Sequence, residues 1–279
     1  MGVFVSRLRE LGNVPGQTLE IVSRFSDGVP ARLPELARQL IEARVEVVFA
    51  PSGPAAGALQ QLSHQVAIVF VAGDPVRAGL VASLARPGRN ATGFTRGAES
   101  IAAKRMEILL DAFPSIKRVG VLSDSRSDDE RELSIIEGAA RQLKVELILQ
   151  QAGSLDQYVA AVARLHAAGV NGYYVIFTGS SFAIRRELAA AISRTRLPAI
   201  YGLGRFADDG GLMAYSWRTP NVAVKAAEIV DRILHGARPS EIPVQEPTII
   251  ELVVNLATAR EQALAIRPSI LQRADRLIE

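Results

Sequence analysis

Cysteine is absent from the 279 residues, which excludes disulfides, thiolate metal centres and cysteine nucleophiles together. Histidine is nearly absent. His64, His166 and His235 lie far apart with no H-x-x-x-H spacing, and each falls in or beside a predicted helix, so no metal centre is expected. No apolar run approaches the roughly 18 residues that a membrane helix requires. The opening MGVFVSRLRELG lacks the basic, apolar and small-residue order of a signal peptide, so the chain is expected to be cytoplasmic if that start is genuine. Excess charge is small, with 32 Lys and Arg against 29 Asp and Glu. The two signs alternate and leave no basic stripe, so nucleic acid is not an expected partner. Catalytic signatures are missing too. There is no G-x-x-x-x-G-K-[ST], no G-x-G-x-x-G after the first strand and no G-x-S-x-G elbow, and no histidine sits at a predicted strand end. Neither an enzyme nor a cofactor is expected.

What remains is material for two ordinary cores. Hydrophobic residues make up 48% and charged residues 22%, which argues against disorder. Val- and Ile-rich runs recur at Leu19–Arg24, Glu46–Ala50, Ala67–Val71, Ala91–Thr95, Arg118–Leu122, Glu146–Gln151, Gly172–Phe177 and Pro198–Tyr201. Segments of helical period separate them, about 30–43, 54–63, 99–112, 129–143, 155–168 and 182–194. Such alternation predicts βαβ units and parallel sheets. The runs VVFA and AIVFVA are apolar on both faces, as strands covered by helices on either side should be. A division near Pro114 follows from the end of one helix and the start of a new strand. Beyond Gly210-Gly211 the pattern loosens, then gives a helix at 221–235, a strand at 248–255 and a helical tail.

In open parallel sheets ligands bind at the loops after the strands' carboxyl ends. Here those loops hold Ser52-Gly53-Pro54, Asp74-Pro75, Thr95, Ser123-Asp124-Ser125, Thr178-Gly179-Ser180 and Tyr201-Gly202. Ser52 or Gly53 suits a helix N-cap whose free N–H groups also favour an anion. Asp74 suits either a cap or an ammonium acceptor. Small hydroxyls, one acid, a few aromatics and free N–H groups fit a small polar or zwitterionic ligand. The pair Asp208-Asp209 reads as a solvated turn or cap, and Trp217 as a core or hinge residue.

The stretches LRELGNVPGQTLEI, GDPVRAGLVASLARPGRNATGFT, LPAIYGLGRFADDGGLMAYS and PTIIELVVNLATA resemble, in order and along nearly the whole chain, one family. It is that of the ABC-transporter substrate-binding proteins of the tryptophan/tyrosine receptor type, with the type I periplasmic-binding fold. The resemblance implies two doubly wound parallel-sheet α/β lobes with a ligand cleft between them, closed by a hinge. The N-terminal lobe would be 1–114 plus about 219–247, and the C-terminal lobe 115–218 plus about 248–279. It further implies cleft positions at Ser52, Gly53, Asp74 and Thr95 in the first lobe, and Ser123, Thr178 and Tyr201 in the second. The implied ligand is amino-acid-like, aromatic amino acids included. The implied partner is an ABC permease, the receptor being a periplasmic or membrane-anchored monomer.

Relatives of this kind carry a leader, a strand and a Ser-rich loop ahead of the helix ending LRELG. The first strand of the N-terminal lobe is therefore expected to be missing, through a misplaced start or as a degenerate truncated copy. Thr178-Gly179-Ser180 also stands where relatives carry a Pro-Asp type sequence, and Trp217 where a glycine is usual. A sensory or regulatory module of the same fold is the alternative function. An enzyme using Asp74 or Asp124 lacks a nucleophile, cofactor loop or metal cluster to go with it.

Overall fold

The computed structural model describes residues 2–95, 98–124, 130–246 and 248–279, except for the side chains of 98–100, 219 and 220. The chain divides into two compact units, Met1–Gly97 with Arg218–Thr248 and Ala98–Trp217 with Ile249–Glu279. The first boundary therefore precedes the expected one at Pro114. Helix Ala98–Ala112 belongs to the second unit because Ala102, Met106, Leu109 and Ala112 are part of that unit's core. Pro114 ends the helix, and the unit begins before it.

The first unit opens with α1 (Gly2–Glu10) and α2 (Leu33–Glu42), followed by β1 (Val47–Ala50), α3 (Gly53–Leu62), β2 (Ala67–Ala72) and β3 (Ala91–Thr95). Its strands are all parallel, in the order β1-β2-β3. Two-residue periodicity sorts their side chains. Val48, Ala50, Ile68 and Phe70 join Ala37 of α2 and Ala56 and Leu59 of α3 in one cluster. Phe49 turns away from that cluster and stacks on Phe4 of α1, with ring centroids 4.9 Å apart. Helix α1 is tied to a later helix of the unit, Thr219–Leu234, by an Arg7–Glu228 ion pair at 2.8 Å, and Asn13, in the turn after α1, donates from Nδ2 to Asp231 Oδ1 of the same helix at 2.7 Å. Gly93 in β3 has φ near +148°, and a Cβ there would lie 2.1 Å from the Phe70 carbonyl oxygen, so only glycine fits.

The expected strand Leu19–Arg24 does not form. Among the described residues this segment makes only an isolated bridge from Leu19 to Pro15, and Ile21 remains exposed. A strand exists only as one half of a ladder, and no second half lies beside these residues among those described.

The second unit begins with α4 (Ala98–Ala112) and continues through β4 (Arg118–Ser123), α5 (Glu130–Leu143), β5 (Glu146–Gln151), α6 (Leu155–Ala167) and β6 (Gly172–Val175). Then follow α7 (Gly179–Ala183), α8 (Arg185–Ser193), β7 (Ala199–Tyr201), α9 (Arg205–Asp208) and β8 (Met213–Trp217). Helix α10 (Thr219–Leu234) lies in the first unit; β9 (Ile250–Asn255), α11 (Leu256–Glu261), α12 (Pro268–Arg273) and β10 (Arg276–Ile278) complete the second. The seven strands run in the order β10-β9-β8-β7-β6-β4-β5, parallel except between β8 and β9. Alternate residues feed two cores. Val121, Tyr174, Ile200 and Val254 face α4, α5 and α12, while Leu122, Tyr173, Tyr201 and Val253 face α6, α8 and α9.

A buried charge locks the first of these cores. Arg105 of α4, 1% exposed, donates to the Tyr215 carbonyl at 2.8 Å, to Glu132 of α5 at 2.7 Å and to the Tyr174 hydroxyl at 2.6 Å. Burial opposes the Arg105 charge, but Tyr174 and Glu132 outweigh it and raise its pKa. Burial likewise drives the Tyr174 hydroxyl well above its ordinary value, although Arg105 pulls the other way. One side chain thereby joins two helices to two strands.

Candidate ligand-binding site

The strand order of the second unit reverses between β4 and β6. From β4 the chain crosses through α5 to β5 on one side, and from β6 it crosses through α7 and α8 to β7 on the other. Connections that diverge in this way leave a crevice at the carboxyl ends of the two strands. The residues there are Ser123 and Asp124 after β4 and Thr178 to Ser181 after β6. Ser123 is fully buried and its Oγ makes no hydrogen bond among the described residues. Asp124 is 6% exposed, and its Oδ2 accepts from Ser180 Oγ at 2.5 Å. Thr178 caps α7, accepting from Ser181 N–H at 3.1 Å, while Ser181 Oγ accepts from Thr178 N–H at 3.0 Å. Ser180 Oγ also lies 3.2 Å from the Tyr158 hydroxyl and 3.0 Å from Thr178 Oγ1. The result is a cluster of hydroxyls beside one carboxylate.

In the first unit the strand ends carry Ser52, Gly53, Asp74 and Thr95. Ser52 is the N-cap of α3, accepting from Ala55 N–H at 3.3 Å, and Gly53 opens the helix ahead of Pro54. Asp74 accepts from Arg77 N–H at 3.0 Å and so caps the turn that follows it. Part of the rest of the GDPVRAGLVASLARPGRN stretch is occupied with packing. Leu80 and Val81 enter the core, and the Asn90 amide donates to the Val66 and Ser63 carbonyls at 2.8 and 3.1 Å. Thr95 is 5% exposed, and its N–H donates to the Gln245 carbonyl at 2.9 Å. Its hydroxyl, like that of Ser123, makes no hydrogen bond among the described residues.

Tyr201 is placed elsewhere. Its ring is stacked on Phe206 with centroids 5.0 Å apart, inside the core that faces α6 and α8, and burial raises its hydroxyl pKa above the ordinary value. It is a packing residue, because the period-two register at the end of β7 turns it into the core. Trp217 is buried at the end of β8, opposite Ile250 of β9. Asp209 is held by Arg185 at 2.6 Å and Arg186 at 3.1 Å. Burial opposes ionisation there, but the Arg186 and Arg185 hydrogen bonds prevail and hold the carboxyl below its usual range. Among the described residues no group of three or more His, Asp or Glu side chains is arranged to hold a metal ion, and no helix is long and apolar enough to cross a membrane. Tyr158 gives no sign in the sequence of joining this cluster, since it lies mid-helix in α6, whereas Ser180 falls in the strand-end loop already singled out.

Comparison with known proteins adds a family and a fold. The sequence model of the family described as ABC transporter substrate binding protein matches residues 2–278. A tyrosine-binding protein of Clostridioides difficile (strain R20291) is 22% identical over 259 residues, which is 92% of this chain and 74% of that protein. A conserved domain protein of Vibrio cholerae superimposes with a TM-score of 0.91 at 23% identity, over 99% of this chain and 93% of that one. The ABC domain of Streptococcus pneumonia in complex with L-Trp superimposes with a TM-score of 0.88 at 19% identity, over 99% of this chain and 95% of that one. Among the more distant structural neighbours is a periplasmic binding protein type 1 from Bordetella pertussis, with a TM-score of 0.53 at 18% identity.

Proposed function

The chain belongs to the ABC transporter substrate-binding protein family, and from that premise we propose that it is the solute receptor of an importer, capturing a small zwitterionic molecule of the amino-acid kind. One observation carries the reading. Two strand-end hydroxyls, Thr95 in the first unit and Ser123 in the second, are buried yet make no hydrogen bond among the described residues. Native proteins rarely leave buried polar groups unsatisfied, and a bound polar ligand is one of the few ways to complete them. Both positions emerge from strand-end logic applied to the sequence, and both stand where an open α/β sheet binds its ligands.

In this reading the two units act as the two lobes. Ser52, Gly53, Asp74 and Thr95 supply hydroxyl, N–H and carboxylate contacts from the first, and Ser123 and Thr178 supply hydroxyls from the second. The aromatic amino acids head the candidates, because a tyrosine-binding protein and a structure holding L-Trp are among the relatives. The partner is an ABC permease, and the receptor works on the outer side of the cytoplasmic membrane. A thermal-shift screen of the twenty amino acids and simple aromatic acids tests this. A true ligand at 100 times its Kd adds about 2.7 kcal/mol of stability. If no compound raises the melting temperature, or if a hit is chemically converted, the receptor reading fails.

A further inference from the structure

Strand β1 stands at one edge of the three-stranded sheet and pairs with β2 alone. Ala67 N–H donates to the Glu46 carbonyl at 3.1 Å, and alternate residues of a strand bond to the same neighbour, so Glu46, Val48 and Ala50 face β2. Val47 and Phe49 therefore aim their N–H and C=O groups outward, and among the described residues nothing bonds to them. The run Val47–Ala50 carries neither a proline nor a charge, the usual devices that blunt such an edge. The segment Leu19–Arg24 is a complementary orphan. From Glu20 to Arg24 no N–H or carbonyl joins a main-chain hydrogen bond among the described residues. Its Ile21 and Val22 suit a strand. Ile21, Phe25 and Val29 are 39%, 63% and 46% exposed, a concentration of large apolar side chains that marks a contact surface.

We propose that two copies of this chain associate by exchanging strands, Leu19–Arg24 of each pairing with the β1 edge of the other. Antiparallel pairing is the stronger of the two directions, and charge then fixes its register. With Ile21 opposite Phe49 and Ser23 opposite Val47, the segment meets both outward sets of backbone groups, and Arg24 falls opposite Glu46. Glu46 is exposed and forms no ion pair among the described residues, while Arg24 donates to the Gln39 side chain and the Ser23 carbonyl, neither of them charged. Sliding the segment by two residues sets Arg24 against Arg44 in one direction and against the apolar Val48 in the other. Each copy both gives and receives a strand, so the contact is two-fold and closes on itself, leaving no open ladder to extend into a fibre. The association is independent of the receptor reading, and it departs from the monomer that the family resemblance implies.

The experiment is sedimentation velocity on the 279-residue chain from about 1 to about 100 µM, where monomer should give way to dimer. Ile21→Pro removes the N–H that would bond Phe49, and should hold the chain monomeric throughout that range. Its melting temperature in dilute solution should not move, because Ile21 is exposed and outside the core. Arg24→Glu or Glu46→Arg alone should weaken the dimer roughly 2- to 30-fold over the two symmetric copies of the pair, and the two together should restore it. The chain has no cysteine, so a mixture of Arg24→Cys and Glu46→Cys proteins reports the pairing directly: oxidation should join one of each. A monomer at every concentration overturns the proposal, as does a dimer that Ile21→Pro leaves intact. So does a disulfide formed within single chains of the dilute Arg24→Cys/Glu46→Cys double variant, which would mean that the segment closes onto its own sheet. The concentration series on the unaltered protein decides the matter even where a variant fails to fold.

Discussion

Replacing Thr95 by valine should move stability and affinity in opposite directions. The Thr95 hydroxyl is buried, with the residue 5% exposed, and it makes no hydrogen bond among the described residues. Leaving such a group unsatisfied costs about 1–3 kcal/mol. Valine keeps the β-branched shape at the end of β3, retains the N–H bond to Gln245 and removes the unsatisfied oxygen. An exchange of Thr for Val is ordinarily harmful because a hydroxyl loses its partner. Here no partner among the described residues is lost, so the ligand-free protein should gain about 1 kcal/mol or more. In a unit of about 130 residues that amounts to a rise of roughly 3–5 °C in melting temperature. Ligand binding should weaken by the net worth of one hydrogen bond, about 0.5–1.5 kcal/mol, or roughly 2- to 12-fold in Kd. Differential scanning calorimetry of the ligand-free protein and titration with whichever amino acid the screen identifies supply the two numbers. If the variant is less stable than its parent, or binds equally well, the orphaned hydroxyl is not waiting for a ligand.

The remaining predictions concern the second unit. Arg105→Met strands the Glu132 carboxylate, which is 7% exposed, and should cost about 3–5 kcal/mol in a urea titration. Adding Glu132→Leu should recover a large part of that loss, and a double variant no better than the single one would refute the pairing. Asp209 has its pKa lowered in the folded state, so the unfolded chain binds the extra proton as acid is added. Its contribution is therefore intact above the ordinary aspartate value of about 3.9 and fades as pH falls through the lower folded value. The urea midpoint of Asp209→Asn should accordingly lie below that of the parent at pH 7 and converge on it below about pH 4. A gap that widens in acid would reverse the sign.

Much of the architecture is legible because strands buried on both faces are short and apolar. AIVFVA and ATGFT announce β2 and β3 within a residue or so of their ends. Hydrophobic period alone misleads where pairing decides. Leu19–Arg24 has the residues of a strand and no neighbour, while Met213–Trp217, obscured behind Gly210-Gly211, becomes β8 because β7 and β9 flank it. The helix expected at 182–194 divides at Ile184 into α7 and α8, since a capping box at Thr178 starts the first of them earlier. The strand-end positions of Thr95 and Ser123 are readable because β3 and β4 end within a residue of where the sequence pattern says they should. Tyr201 is not, because the direction of its ring follows from a register that only the assembled sheet defines. Tyr158 and Ser180 reach the Asp124 carboxylate through tertiary folding alone.

The divergence of the chain on either side of β4 and β6 has a consequence for how a protein of this shape can change its diet. Helices leaving in opposite directions are anchored by residues farther down the strands, such as Val121, Leu122 and Tyr174. The tips are thereby released from supporting the scaffold. Letters at 123, 124 and 180 can then be rewritten one at a time while the frame beneath stands unaltered.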